Sequence, residues 1–385
     1  MNRLLLFVFS IFLCMAGICA NHPSSLLPLP QKYSFNGKQV NAKMAVEERI
    51  VAQIDGAKFQ EEAYHLLITK KGIILEATTP KGMYWGRQTL EQLKYTKNKK
   101  TWVPQCDITD WPAFRIRGFM HDVGRSYISV EELKREISLL SRYKINVFHW
   151  HLTENQAWRL ESKRYPQLNA PENMEREKGK YYTLDEARQL VEFCKQHQVL
   201  LIPEIDMPGH SAAFERTFKT DMQSEKGTQI LKDIIDEVCA TFDVPYLHIG
   251  TDEVQFTNPD FVPMMVRYIR DKGKKVISYN PGWNYKTGEI DMAQLWSYRG
   301  KAQKGIPAID CRYHYANHFD TYADLVAMFN SRIYNQPEGS DDLAGCIVAF
   351  WNDRFIDNTP QLLAENNFYP YMLTLAERAW RGGGN

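Results

Sequence analysis

Tyr246-Leu-His-Ile-Gly-Thr-Asp-Glu-Val254 decides how this chain is read. The apolar run through residues 244–249 reads as a short buried strand that stops at Gly250, so Asp252 and Glu253 fall where a loop should begin. Adjacent carboxylates raise one another's pKa, so the pair is costly unless something uses it. A plainer reading also stands: Asp caps helices well and acids suit a first helical turn. The surrounding chain has to choose between them.

Downstream of residue 112 the sequence alternates. Apolar strands are expected at 116–120, 146–152, 199–205, 246–249, 275–279, 292–296, 307–311 and 346–351. Helical patterns are expected at 130–143, 184–198, 227–242, 261–272, 322–330 and 361–380. Eight such strands over about 270 residues fit an α/β fold, a (β/α)8 TIM-type barrel. The segment 279–292 is too short and too rich in Gly and Pro for a helix, so the barrel is expected to be imperfect. A doubly wound open sheet is the structural alternative, but no Gly-rich phosphate loop supports it.

The first 112 residues read differently. Arg3, the apolar residues 4–18 and small Ala20 have the form of an export signal, with cleavage after Ala20. That places the mature protein in the periplasm or outside the cell. Ala16-Gly17-Ile18 ahead of Cys19 also resembles a lipoprotein signal, which leaves lipid anchoring through Cys19 open. The apolar run is too short for a comfortable membrane span. Residues 21–112 read as a small α+β domain, with strands at 64–69 and 72–77, a helix at 82–93 and a boundary at 107–112; residues 113–385 form the barrel domain.

Composition narrows the partners. Forty-seven basic against 46 acidic residues leave a net charge of +1, so there is no electrostatic footprint for nucleic acid or an anionic membrane. Nine Trp and twenty Tyr suit a cleft that needs flat rings as much as they suit a large core. Cys106, Cys194, Cys239, Cys311 and Cys346 are scattered, without the spacing of a metal site or a disulfide framework, and read as buried thiols. Nothing in the composition sets an oligomeric state.

In a barrel the C-terminal strand ends line one mouth, where chemistry sits. Here those ends carry Asp122 and Arg125, then His149, His151, Glu154 and Asn155, then Glu204, Asp206 and His210, then Asp252 and Glu253. Asn280, Trp283, Trp296, Asp310, Arg312 and Tyr313 follow, and the last strand ends Trp351-Asn-Asp353. Two chemistries compete for this mouth. His149, His151, His210 and His248 could hold a hydrolytic metal, although no His-x-x-x-His spacing supports one. Alternatively a carboxyl acid beside a second carboxylate, in a Trp-rich cleft, has the form of glycoside hydrolysis.

Seven segments in order sharpen that choice: Arg117-Gly-Phe-Met-His-Asp-Val-Gly-Arg125, Asn146-Val-Phe-His-Trp-His-Leu-Thr153, Ile202-Pro-Glu-Ile-Asp-Met-Pro-Gly-His210, His248-Ile-Gly-Thr-Asp-Glu253, Ala293-Gln-Leu-Trp296, Phe350-Trp-Asn-Asp353 and Leu375-Ala-Glu-Arg-Ala-Trp380. Together they resemble family 20 of the glycoside hydrolases, the exo-acting β-N-acetylhexosaminidases. The segment from Glu62 to Leu93 resembles the small domain that precedes the barrel in that family.

The resemblance implies hydrolysis of terminal GlcNAc or GalNAc from a glycan, without metal or cofactor, through attack by the substrate's own acetamide oxygen. It implies Glu253 as general acid and then base, and Asp252 as the carboxylate that orients the acetamide. Trp283, Trp296 and Trp351 match aromatic walls. Arg125 would hold the 3- and 4-hydroxyls, Asp353 the 4- and 6-hydroxyls, and His210 would sit behind Glu253. Three places depart from the pattern. Glu154-Asn155 stands where two Asp are usual, one of which pairs in that family with the His behind the acid; Thr251 replaces a Gly; and for a Tyr-x-Asp whose Tyr donates to the acetamide, Tyr315 is expected to supply the hydroxyl and Asp320 the matching acid. These departures motivate an alternative of another class, a glycan-binding relative that has lost catalysis.

Overall fold

The computed structural model describes residues 26–312, 315–316, 323–365 and 368–383. The expected export signal with Cys19, and Asp320, lie outside the described residues. The chain divides into two units between Ala113 and Phe114.

The first unit is built on a six-stranded sheet. Its strands are β1 (Lys32–Asn41), β2 (Val46–Ile50), β3 (Tyr64–Thr69), β4 (Gly72–Ala77), β5 (Tyr95–Lys97) and β6 (Lys100–Asp110), in the order β1-β6-β3-β4-β2 with β5 pairing β6. Burial alternates along β3 and β4, so Tyr64, Leu66, Ile68, Ile73, Leu75 and Ala77 are buried on alternate positions. Helix α1 (Pro80–Leu93) packs beside these strands, capped by the Thr79 hydroxyl on the Gly82 amide and started by Pro80. A Cβ on Gly86 would lie 2.4 Å from Leu75 Cδ1, so only glycine lets the helix come this close. Strand β6 runs on through Asp110, so residues 107–110, expected at the boundary, belong to this sheet; the Asp110 carboxylate accepts the buried Tyr64 hydroxyl at 2.5 Å.

The second unit is a closed parallel barrel of eight strands. They are β7 (Ile116–Asp122), β8 (Val147–His151), β9 (Leu200–Glu204), β10 (Tyr246–His248), β11 (Lys275–Asn280), β12 (Met292–Leu295), β13 (Ala308–Asp310) and β14 (Leu343–Phe350). Strand β14 closes on β7 through Gly345 opposite Ile116. Met120, Val147, Ile202, Ile277, Ile309 and Ile347 fill the interior below the mouth.

Helices α2 (Val130–Arg142) and α3 (Leu184–Gln196) follow β7 and β8; α3 begins with a capping box of Thr183 and Glu186. Helices α4 (Ala212–Phe218) and α5 (Glu225–Thr241) follow β9, and α6 (Phe261–Asp271) follows β10. Residues 281–291 and 296–307 connect β11 to β12 and β12 to β13 without a helix, so the imperfection expected after the fifth strand extends to the sixth. Helix α7 is Ala323–Asn330. The single helix expected at 361–380 is instead two, α8 (Thr359–Glu365) and α9 (Phe368–Arg381). Pro370 has no N–H to give and suits only a first helical turn, so a helix must begin just before it. Trp380, on α9, is fully buried and takes the Arg117 and Lys144 cations at 5.0 and 4.3 Å from its ring. Its role is packing rather than chemistry. The five cysteines of the described residues carry free thiols, and no helix among those residues is long and apolar enough to cross a membrane.

Candidate active site

The mouth is formed where the strands hand over to loops. Strand β10 ends at His248, and the backbone then takes positive φ at Gly250 (66°), Thr251 (84°) and Glu253 (49°). At Gly250 this conformation is obligatory on a second count: a Cβ there would lie 1.8 Å from Asp206 Oδ1. The tight turn leaves Asp252 buried and Glu253 half-exposed, with a side-chain exposure of 55%. Neighbours in sequence, the two acids thus see different surroundings.

His210 joins them. It too has positive φ, 47°, and its Nε2 lies 3.6 Å from Glu253 Oε2 and 4.0 Å from Asp252 Oδ2. On its other side Nδ1 is 3.0 Å from Glu154 Oε1. Burial opposes a charged imidazole, yet the bond to Glu154 and the charges of Asp206, Glu154 and Asp252 hold the His210 pKa up at about 9. Glu154 therefore backs the histidine.

Glu154 is also a crossing point. Its Oε2 is 3.0 Å from an Arg125 terminal nitrogen and 3.4 Å from His151 Nε2, and its Oε1 accepts the Asn155 amide at 2.7 Å. Although burial works against the anion, His151, His210 and Arg125 hold this carboxyl well below the usual carboxylate range. Arg125 is further tied to Asp122 at 2.8 Å and lies 3.7 Å from Asp353, with its guanidinium 5.2 Å from the Trp351 ring centre. Trp351 in turn meets the His151 ring edge-on at 5.0 Å. Contacts thus run from Asp353 through Arg125, Glu154 and His210 to Asp252 and Glu253.

The remaining expected residues are placed less uniformly. Trp296 donates its indole N–H to the Pro281 carbonyl at 2.6 Å, and its own carbonyl accepts the Tyr315 hydroxyl. Tyr315 therefore directs its proton at the backbone of Trp296, not at open space. Trp283 packs edge-on against Phe256 at 4.9 Å, and its amide donates to Thr251 Oγ1 at 3.3 Å.

Beneath the mouth lies a buried group that the motifs pointed to without explaining. Glu204 is 2.7 Å from both His149 Nε2 and His151 Nδ1 and 3.2 Å from His248 Nδ1, and it accepts the Tyr279 hydroxyl at 3.2 Å. Burial notwithstanding, the charges of these histidines keep Glu204 well below the carboxylate range. Burial lowers His149 to about 4 against the pull of Glu204. Asp206, fully buried beside Asp252, is pushed well above its usual value by burial and by the charge of Asp252. Asp252 itself is raised to about 7, chiefly by burial, against the opposing charge of His210. His149 with Glu204 and His248, His151 with Glu204 and Asp206, and Asp206 with His210 and Asp252 each bring ligand-type atoms within 4.8 Å of one another, the places among the described residues where a cation would find donors. Asp206 went unassigned in the sequence because its partner, Gly250, is distant in the chain; the positive φ demanded at Gly250 is the only local trace.

Comparison with known proteins agrees with this geometry. Residues 24–111 match the model of glycosyl hydrolase family 20, domain 2, and residues 114–221 match that of the family 20 catalytic domain. The chain is 34% identical over 249 residues to a beta-hexosaminidase of Porphyromonas gingivalis, covering 56% of this chain and 32% of that protein. It is 35% identical over 230 residues to a beta-hexosaminidase of Vibrio furnissii, covering 50% and 38%. The chain thus spans about a third of the length of these curated relatives. Among solved structures, the family 20 exo-β-N-acetylglucosaminidase of Vibrio harveyi superposes with a TM-score of 0.80 at 22% identity, over 94% of this chain and 74% of that one. The β-N-acetylhexosaminidase of Bacteroides fragilis gives 0.79 at 24%, over 94% and 91%; at these identities the likeness is one of fold. Two models of one family, matched in sequence order and each falling within one of the two structural units, establish that this chain belongs to glycosyl hydrolase family 20.

Proposed function

We propose that the chain is an exo-β-N-acetylhexosaminidase that removes terminal GlcNAc or GalNAc by a retaining, substrate-assisted route. The observation that carries this reading is the split environment of Asp252 and Glu253 around His210, next to an arginine held against Trp351. The relatives of known sequence bear the name beta-hexosaminidase, which supports it.

In this reading Arg125 and Asp353 take the hydroxyls of a terminal sugar, and Trp351, Trp296 and Trp283 enclose it. The acetamide oxygen attacks the anomeric carbon as Glu253 gives a proton to the leaving oxygen, forming an oxazolinium. Asp252 accepts from the acetamide N–H. A carboxyl raised to about 7 by burial gains more from a cation forming beside it than from a neutral ground state, which is the condition for accelerating the step. Glu253, now anionic, takes a proton from the water that opens the oxazolinium, and the His210 imidazolium 3.6 Å away stabilises that anion. Tyr315 fixes the Trp296 wall through its carbonyl. Asp320, outside the described residues, is assigned to the substrate by the resemblance alone. Glu154 meets His210 at 3.0 Å and would serve as the relay behind the acid, which supports catalysis over a binding-only relative.

Export, by a signal in residues 1–20 or with a lipid anchor on Cys19 as the alternative, belongs to the same proposal and would bring the enzyme to extracytoplasmic glycans. The test is hydrolysis of a nitrophenyl N-acetylglucosaminide and N-acetylgalactosaminide beside the plain glucoside. Turnover of the first two, inhibition by a thiazoline, and no response to chelators are expected. Equal cleavage of the glucoside would overturn acetamide participation, and sugar binding without any turnover would favour the binding-only relative.

A further inference from the structure

Thr251 is an unusual residue for its place. It is β-branched, buried to 1% exposure, and holds φ at 84°, a region that side chains of its kind rarely occupy. The resemblance leads one to expect glycine, which would adopt this backbone without strain. Its hydroxyl both donates and accepts. Ser278 donates its proton to the Gly250 carbonyl at 2.7 Å, so across the 2.7 Å contact between the two hydroxyls Thr251 must be the donor. Thr251 Oγ1 then accepts the Trp283 amide at 3.3 Å, and Tyr285 donates to Ser278 at 2.9 Å. A single directional chain runs from the Trp283 N–H through Thr251 and Ser278 to the carbonyl of Gly250, and such chains strengthen link by link.

The packing around the Trp283 ring is incomplete. On the side of α6 a cavity of about 250 Å³ opens against Pro263, Val266, Arg267, Trp283, Tyr285 and Glu289. None of Asp252, Glu253, Arg125 or Trp351 lines it. Phe256 meets the ring edge-on at 4.9 Å.

We infer that Thr251 is a positioning residue that pins Trp283, and through it sets how large an N-acyl group the site accepts. The inference rests on the proposed hexosaminidase reading, in which Trp283 walls the acetamide. Glycine at 251 would leave that wall tethered only by packing beside an empty cavity; threonine fixes it to the same turn that carries Asp252.

The experiment compares Thr251→Ser, Thr251→Val and Thr251→Gly with the wild type. Val keeps shape and strain without the hydroxyl, Gly removes both, and Ser keeps the hydroxyl. Two readouts are taken. One is hydrogen exchange of the peptide containing the Trp283 amide, which needs no turnover. The other is the ratio of kcat/KM for aryl N-acetyl- against N-propanoyl-glucosaminide. Val and Gly are expected to speed exchange at Trp283 by about fivefold or more, the worth of one hydrogen bond. They are also expected to lower the acetyl preference, which for an added methylene in an apolar pocket is about 10- to 200-fold. Ser is expected to match the wild type in both. A change in Gly but not Val would show that strain, not the hydroxyl, matters, and would overturn the inference. An unchanged acyl ratio with faster exchange would overturn it equally. If the wild type cleaves no N-acyl hexosaminide, the hexosaminidase reading falls, and the specificity role with it, while unchanged exchange in Val and Gly would separately refute the tether.

Discussion

Glu154→Gln removes one charge from the centre of the site and should be read first through His210. The His210 imidazole has an ordinary value of 6.5 and is held at about 9, with Glu154 its nearest acid at 3.0 Å. The difference corresponds to about 3 kcal/mol of preference for the charged ring. His210 is mostly buried, so solvent screens little of this. Because the folded value lies above the unfolded one, that stability is present in full below pH 6.5 and is lost as pH rises through about 9. In Glu154→Gln burial acts with less opposition, so the His210 pKa falls, now held up only by the charges of Asp206 and Asp252, and the pH-dependent part shrinks. The variant should therefore melt lower than wild type at pH 6, with the gap closing by up to about 6 °C by pH 9.5, at about 2 °C per kcal/mol for a large domain. Melting curves at the two pH values and a histidine NMR titration of His210 measure both quantities. A gap that is the same at both pH values, or a His210 still titrating near 9 in the variant, would refute the reasoning.

Other outcomes follow from the same geometry. Glu253→Gln should lower kcat on a nitrophenyl N-acetylglucosaminide by about 10²- to 10⁴-fold with little change in KM, and near-wild-type turnover would remove Glu253 as the acid. If anionic Asp252 is needed, activity should rise as pH climbs through about 7, and the pH–rate profile of Asp252→Asn should lose that limb. Gly250→Ala should fail to fold as the wild type does, since its Cβ would sit 1.8 Å from Asp206 in a positive-φ turn; circular dichroism with activity checks this.

The barrel strands were legible because each is an apolar run buried on both faces, as in β8 and β14, where every residue is buried. Strands β1 and β2 gave no such signal. All of β2 is exposed and β1 buries only Val40, so their pairing comes from backbone hydrogen bonds that leave no side-chain pattern. Arg125, Glu154, His210, Asp252 and Glu253 could be found because strand ends converge on one mouth whatever the spacing along the chain. Asp206 against Gly250, and Thr251 through Ser278 to Trp283, could not: both depend on which side of a turn a carboxylate or hydroxyl meets another element, and sequence periodicity does not encode that.

Arg125 carries one more consequence. Its guanidinium offers five N–H donors. One reaches Asp122 at 2.8 Å, one lies toward Glu154 at 3.0 Å, and Nε faces Asp353 at 3.7 Å. Among the described contacts this leaves one N–H on each terminal nitrogen, a two-pronged fork that the proposed reading assigns to neighbouring sugar hydroxyls. An arginine swinging free would surrender about 2 kcal/mol of rotamer freedom on meeting a sugar. Here that freedom was given up when the barrel closed, so in the proposed reading a sugar would meet a rigid fork and association would be spared the entropy of ordering it.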